Sequence, residues 1–168
     1  AAGRSDAPLV VRIDGRHLVG NAVLLSVTGA LEKTGLAAHL LELDVLAPNS
    51  LVDGAALTES LWQLHRLGVR LSLSASPLSA MPLLQLSQLP LTALTLPEPL
   101  WRRSMEDKRT ASFCEGLLAI ADRLGFLVSA TGIRTQAELR HVKQLGCQRG
   151  QGSLWTLGSQ PPKREDSA

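Results

Sequence analysis

The chain has 168 residues, 45% of them hydrophobic and 19% charged, which is enough for one compact domain with its own core and too apolar for a disordered chain. A net charge of +2, no tyrosine, two phenylalanines and three tryptophans argue against a polyanion-coating surface and against an aromatic platform for stacking bases. No run approaches the roughly 18 apolar residues of a membrane span, and Cys114 and Cys147, far apart in apolar segments, read as reduced core thiols rather than a disulfide or a zinc site.

In chain order, AAGRSDAP (1–8) reads as a linker, and with no initiating methionine the chain reads as a piece of a longer polypeptide. The first apolar run is LVVRI (9–13), followed by helical spacing from about Leu18 to Lys33 and a stop at Gly35. HLLELDV (39–45) is the second run, and Leu57, Leu61, Leu64 and Leu67 then share one face of a helix over about 55–67. VRLSLS (69–74) and LTALTL (91–96) alternate apolar with small polar residues, the pattern of a strand with one face on a core. A helix over about 110–124, FLVSA (126–130) and a helix over about 135–145 follow, the last opened by Thr135 with Glu138 three residues on, a capping box. A sixth strand is expected near Cys147–Gln151, and PPKREDSA (161–168) reads as a flexible tail.

Repeated strand–helix units imply parallel strands joined by right-handed crossovers, either a (βα) barrel or an open doubly wound sheet. Small inward residues suit a barrel interior, and six strands make it an incomplete one. Reactive groups then belong at the C-terminal ends of the strands. The acids there are Asp14, Asp44 and Glu98, a thin set for a divalent metal, which needs several converging oxygens. His17, His65 and His141 fall in expected helices and His39 opens a strand, and none has an evident partner. GQG (150–152) is too short to cradle a phosphate by itself. WRRSMEDKR (101–109), dense in charge of both signs, reads as a solvated surface turn, with Arg102, Arg103, Lys108 and Arg109 as candidate contacts to RNA or a partner.

LELDV followed by a helix, LHRLGVRLSLS, LSQLPLTALTL, RLGFLVSATGIRTQAEL and LGCQRGQGSLW occur in an order and spacing that resemble the EAL domain, a TIM-barrel family that hydrolyses cyclic di-GMP. The resemblance implies an EAL barrel over 9–160 that lacks its first units. It also places site residues. Arg12 stands where the family has a metal-binding Asn, Asp44 is a retained acid, and Ala47 takes the place of a second Glu. Ser74 and Ala75 replace twin aspartates, Thr95 a lysine, Pro97 an aspartate, and Thr131 and Arg134 the two glutamates of an EGVE motif, while Gln151 is kept.

The substitutions remove the charge that would hold two divalent ions, so the resemblance implies a degenerate, non-enzymatic domain that carries no cofactor and regulates through a protein partner. ATGIR, MEDKRT and GQG before SQP are similar to the CsrD/MshH group, whose members promote turnover of small regulatory RNAs by RNase E. That implies a cytoplasmic domain of a membrane-anchored parent, with no membrane contact of its own. A non-hydrolysing cyclic di-GMP receptor is the alternative role, and an active phosphodiesterase the third.

Overall fold

The structure, a computed structural model, describes residues 8–46, 54–74 and 86–155. Its strands are β1 (Leu9–Asp14), β2 (Leu41–Leu46), β3 (Arg70–Ser74), β4 (Ala93–Leu96), β5 (Leu127–Thr131) and β6 (Arg149–Gln151). The helices are α1 (Ala22–Thr34), α2 (Gly54–Arg66), α3 (Glu98–Ser104), α4 (Lys108–Arg123) and α5 (Gln136–Leu145). All six strands are parallel and stand in the order β1-β2-β3-β4-β5-β6, so no crossover reverses direction. A doubly wound sheet needs such a reversal, so that alternative is excluded and the barrel-type reading holds.

The sheet is curled. β2 and β6 are four strand spacings apart, about 19 Å along a flat sheet, yet Arg149 on β6 makes a 2.8 Å ion pair with Glu42 on β2. That distance exceeds the combined reach of the two side chains, so the sheet must bend until its concave face brings them together.

Strand alternation sorts the residues. Leu41, Leu43, Val45, Leu71, Leu73, Leu94, Leu96, Val128 and Ala130 face the helices and are buried. They meet Leu57, Leu61 and Leu64 of α2, Leu117, Leu118 and Ala121 of α4, and Leu139 and Val142 of α5 in one cluster. Each such leucine contributes about 1.5–3 kcal/mol on burial. The alternate positions, Asp44, Ser72, Thr95 and Ser129, turn to the concave face and hydrogen-bond to one another. β1 is the exception, because nothing described covers its outer edge: Leu9 is 58% exposed, with Val10 and Val11 close behind.

Three local expectations are corrected. α1 begins at Ala22 rather than Leu18, because Asp14 accepts the Arg16 amide and caps a separate 3-10 turn, Gly15–Leu18, which holds His17. His39 lies in another 3-10 turn, Ala38–Leu40, so β2 opens at Leu41. WRRSMEDKR is not a solvated turn. It holds the end of α3, with Trp101 fully buried, and Asp107 then caps α4 by accepting the Arg109 and Thr110 amides. Charge density concealed an amphipathic pattern there, one tryptophan inward among arginines outward. No described helix is long and apolar enough to cross a membrane. The expected linker, apart from Pro8, and the expected tail lie outside the described residues.

Candidate functional site

The C-terminal ends of the strands carry two polar clusters. The first surrounds Asp44, which is 2% exposed. Arg12, opposite it in register on β1, donates from Nε at 3.0 Å. The hydroxyls of Ser72 and Thr95 approach the other carboxylate oxygen at 3.4 and 3.3 Å, and Thr95 shares a 2.9 Å hydrogen bond with Ser129. Two residues before Asp44 on the same face, Glu42 is buried against Arg149. Each buried carboxylate of the concave face is therefore matched by an arginine, as burial of charge requires.

The second cluster joins the ends of β4 and β5. Glu98 pairs with Arg102 at 2.8 Å and with Arg134 at 2.9 Å, and Arg102 also pairs with Glu138 at 2.6 Å. Arg102 lies against the Trp101 ring, whose indole N–H donates to the Thr131 carbonyl at 2.8 Å. Gly132 has φ +80°, and a Cβ there would collide with the Glu98 side chain, so glycine is needed for backbone conformation and for space. Thr135 and Glu138 form the capping box of α5, and Glu138 also accepts the Arg134 amide. That backbone hydrogen bond is the main reason the Glu138 carboxyl is held below its ordinary range, aided by the Thr135 amide and Arg102 against the opposing effect of burial.

The expected site residues are thus placed unevenly. Arg12, Asp44 and Thr95 are brought together, and Ser74 is buried at the end of β3 two residues beyond Ser72. Thr131 ends β5 on the concave side, Arg134 is drawn to Glu98, and Gln151 ends β6 with its carbonyl accepting the Ile133 amide. Ala75 and Ala47 lie outside the described residues. Of the candidate RNA contacts, Arg102 is committed to two glutamates, while Arg103, Lys108 and Arg109 are exposed. Gly150 and Gly152 of GQG let the end of β6 pack on Ile133 and Trp155.

Glu42, Ser72, Ser129, Glu138 and Arg149 were not singled out as site residues from the sequence. A glutamate two positions before Asp44 in an otherwise apolar strand was the available signal for Glu42. Among the described residues no three His, Cys, Asp or Glu side chains converge as a metal ion requires. Asp14, Asp44 and Glu98 are each engaged by arginine instead, so this donor set does not fit a pair of divalent ions. Ser104 and His141 approach to 2.8 Å, but the Ser104 hydroxyl donates to the Trp101 carbonyl, so it receives its hydrogen bond from the imidazole and is no activated nucleophile.

Comparison with known proteins adds a family. The EAL domain family matches residues 1–158. Cyclic di-GMP phosphodiesterase NbdA of Pseudomonas aeruginosa is 30% identical over 139 residues, covering 82% of this chain and 18% of the relative. The bifunctional diguanylate cyclase/cyclic di-GMP phosphodiesterase MucR of the same organism is 26% identical over 163 residues, covering 97% of this chain and 24% of the relative. The chain thus spans about a fifth of the length of these curated relatives. The solved PaMucR phosphodiesterase in complex with c-di-GMP superposes with a TM-score of 0.82 at 26% identity, covering 94% of this chain and 63% of that one. Bacillus subtilis YkuI, an EAL-domain protein solved with c-di-GMP and calcium, shares the fold at a TM-score of 0.76 and 16% identity over 92% of this chain and 39% of that one.

These relatives overturn the expectation that the chain is no enzyme, because the proteins it is similar to are phosphodiesterases. With the family matched along nearly the whole chain and the six-stranded curled sheet superposing on a solved member, this chain belongs to the EAL domain family.

Proposed function

We propose that the chain is a regulatory module of the EAL family that acts through a protein partner. The observation that carries this reading is the Arg12–Asp44 ion pair: the retained acid at the strand ends is neutralised from within the sheet by an arginine of the adjacent strand. A site whose charges are already matched internally favours a role for the scaffold's surface. The exposed Arg103 of α3 and Lys108 and Arg109 of α4, the last one helical turn before the half-exposed Phe113, offer such a surface.

The narrower form of the proposal, control of small regulatory RNA turnover by RNase E, rests on the stretches ATGIR, MEDKRT and GQG. Direct RNA contact through Arg103, Lys108 and Arg109 would show as affinity that falls steeply with salt. A second reading, binding of cyclic di-GMP at the strand ends, is favoured by the likeness to PaMucR, which was solved with that ligand. In either case the segment is proposed to span 9–160 as one domain in the cytoplasm.

Capture of partners by the full-length protein, with this domain present and deleted, tests the regulatory reading, which expects a protein retained only when the domain is present. A domain whose deletion leaves the captured proteins unchanged defeats the proposal. Incubation with cyclic di-GMP and Mg²⁺ or Mn²⁺, followed by chromatography of the nucleotides, asks separately whether the chain also hydrolyses the nucleotide its relatives are named for, and linear product that disappears in Asp44→Asn would assign that reaction to the strand ends. Calorimetric titration with cyclic di-GMP separates the second reading, which expects heat of binding that weakens in Gln151→Ala and Arg134→Ala.

A further inference from the structure

α4 turns Cys114, Leu117, Leu118 and Ala121 to the core and carries a second ordered stripe outward. Arg109, Phe113, Gly116, Ile120 and Arg123 stand at i, i+4, i+7, i+11 and i+14, so they fall on one line along the helix. All five are exposed, Phe113 by 50% and Ile120 by 37%. Gly116 leaves a gap between those two side chains, because a Cβ there would meet nothing within 4 Å outside its own helix. Neither guanidinium at the ends of the stripe makes an ion pair among the described residues. The stripe does not belong to a sheet edge, since β4 and β5, which α3 and α4 connect, are each paired on both sides.

We propose that this stripe docks an acidic amphipathic helix of a partner protein, its apolar side chains seated over Phe113, Ile120 and the Gly116 gap and its carboxylates at Arg109 and Arg123. The inference rests on the regulatory reading above and names the class of partner. The charge pattern decides against two other occupants. A second copy of α4 crossing antiparallel at Gly116 brings Arg109 opposite Arg123, and a parallel copy brings each arginine opposite itself, so both orientations repel. Glu115 and Asp122, the acids of this helix, lie about 100° or more around it from Gly116, too far to relieve that repulsion. An RNA strand carries phosphate along its whole length and would set charge against Phe113 and Ile120. An acidic helix avoids both conflicts. Apolar residues two turns apart on it match the spacing of about 10 Å between Phe113 and Ile120, and acids at its ends meet arginines about 21 Å apart. The absent side chain at Gly116 lets the two helix axes approach closely. The exposed Arg103 and Lys108 flank the N-terminal end of the stripe and add positive potential that attracts such a segment.

The test is photo-crosslinking of the full-length protein in its own cells, with p-benzoylphenylalanine in place of Phe113 or Gly116 and mass spectrometry of the segment attached. The proposal expects attachment to a protein segment of negative net charge that carries apolar residues. It expects the yield to fall about tenfold or more in Arg109→Glu/Arg123→Glu and in the same direction in the milder Arg109→Gln/Arg123→Gln. Arg140→Glu, at an exposed position of α5, should leave the yield unchanged. Attachment to RNA, to a second copy of the chain or to a segment without net negative charge overturns the proposal. So does a yield indifferent to both double variants, or no attachment from either position. Retention of proteins only when the domain is present, alongside any of those outcomes, leaves the regulatory reading standing and removes this inference alone. Loss of that domain-dependent retention is the failure of the reading itself.

Discussion

Replacing Arg12 with methionine should cost more than neutralising the acid it serves. Asp44 is 2% exposed and its two hydroxyl partners sit at 3.4 and 3.3 Å, long for bonds to a carboxylate, so the guanidinium at 3.0 Å supplies most of its compensation. Breaking a fully buried pair costs about 3–5 kcal/mol, and an exposed pair is worth about 0–1 kcal/mol. The Arg12 side chain is 50% exposed, which admits water to one side of the pair and places Arg12→Met near 2 kcal/mol. For a chain of this size that corresponds to a fall in Tm of about 4–8 °C. Asp44→Asn leaves an amide that can keep both hydroxyl contacts and frees a guanidinium that water solvates readily, so its cost should stay below about 1 kcal/mol. Thermal unfolding of the two single variants and the double, followed by circular dichroism, completes a cycle in which Asp44→Asn partly rescues Arg12→Met. If Asp44→Asn is the costlier change, or if the two effects add, the ion pair does not have the role assigned to it.

Other outcomes follow from the second cluster and the core. Gly132→Ala should destabilise by about 2 kcal/mol, combining the left-handed backbone penalty with displacement of Glu98, and unchanged denaturant stability would contradict the geometry. Thr135→Ala should cost about 1 kcal/mol through loss of the α5 cap, as read by chemical denaturation. Because the Glu138 carboxyl is depressed in the folded state, its contribution is full above the ordinary carboxylate range and is lost as pH falls through its lowered value. The stability gap between the parent protein and Glu138→Gln should therefore be widest near neutrality and close on acidification, and a constant gap would sink the assignment. Burial pushes the Cys147 thiol up to about 11 and raises that of Cys114, so neither should react quickly with a thiol reagent at pH 8 until the protein is unfolded.

Much of the architecture was legible because it is written in local pattern. LELDVL, RLSLS and ALTL alternate leucine or valine with polar or small residues, and each became a strand with its apolar face on the helices. Thr135 and Glu138 announced the start of α5 because a capping box needs only residues three apart. The site was legible only as a set of positions along strand ends. Its partnerships were not, since Arg12 finds Asp44 across 32 positions and Arg149 finds Glu42 across 107, and no periodicity relates such pairs. Trp101 was misread for the same reason: flanking charges are local, while the indole's acceptor, the Thr131 carbonyl, lies 30 positions away.

By itself, then, the amino-acid sequence determined which segments are strands and, α3 apart, which are helices, which face of each is apolar, and that the strands run parallel, because these follow from side-chain periodicity and short-range capping. Strand order, the curl of the sheet and the pairing of each buried carboxylate with its arginine were decided only by the tertiary structure, because they depend on which distant segments share a face once the chain has closed on its core.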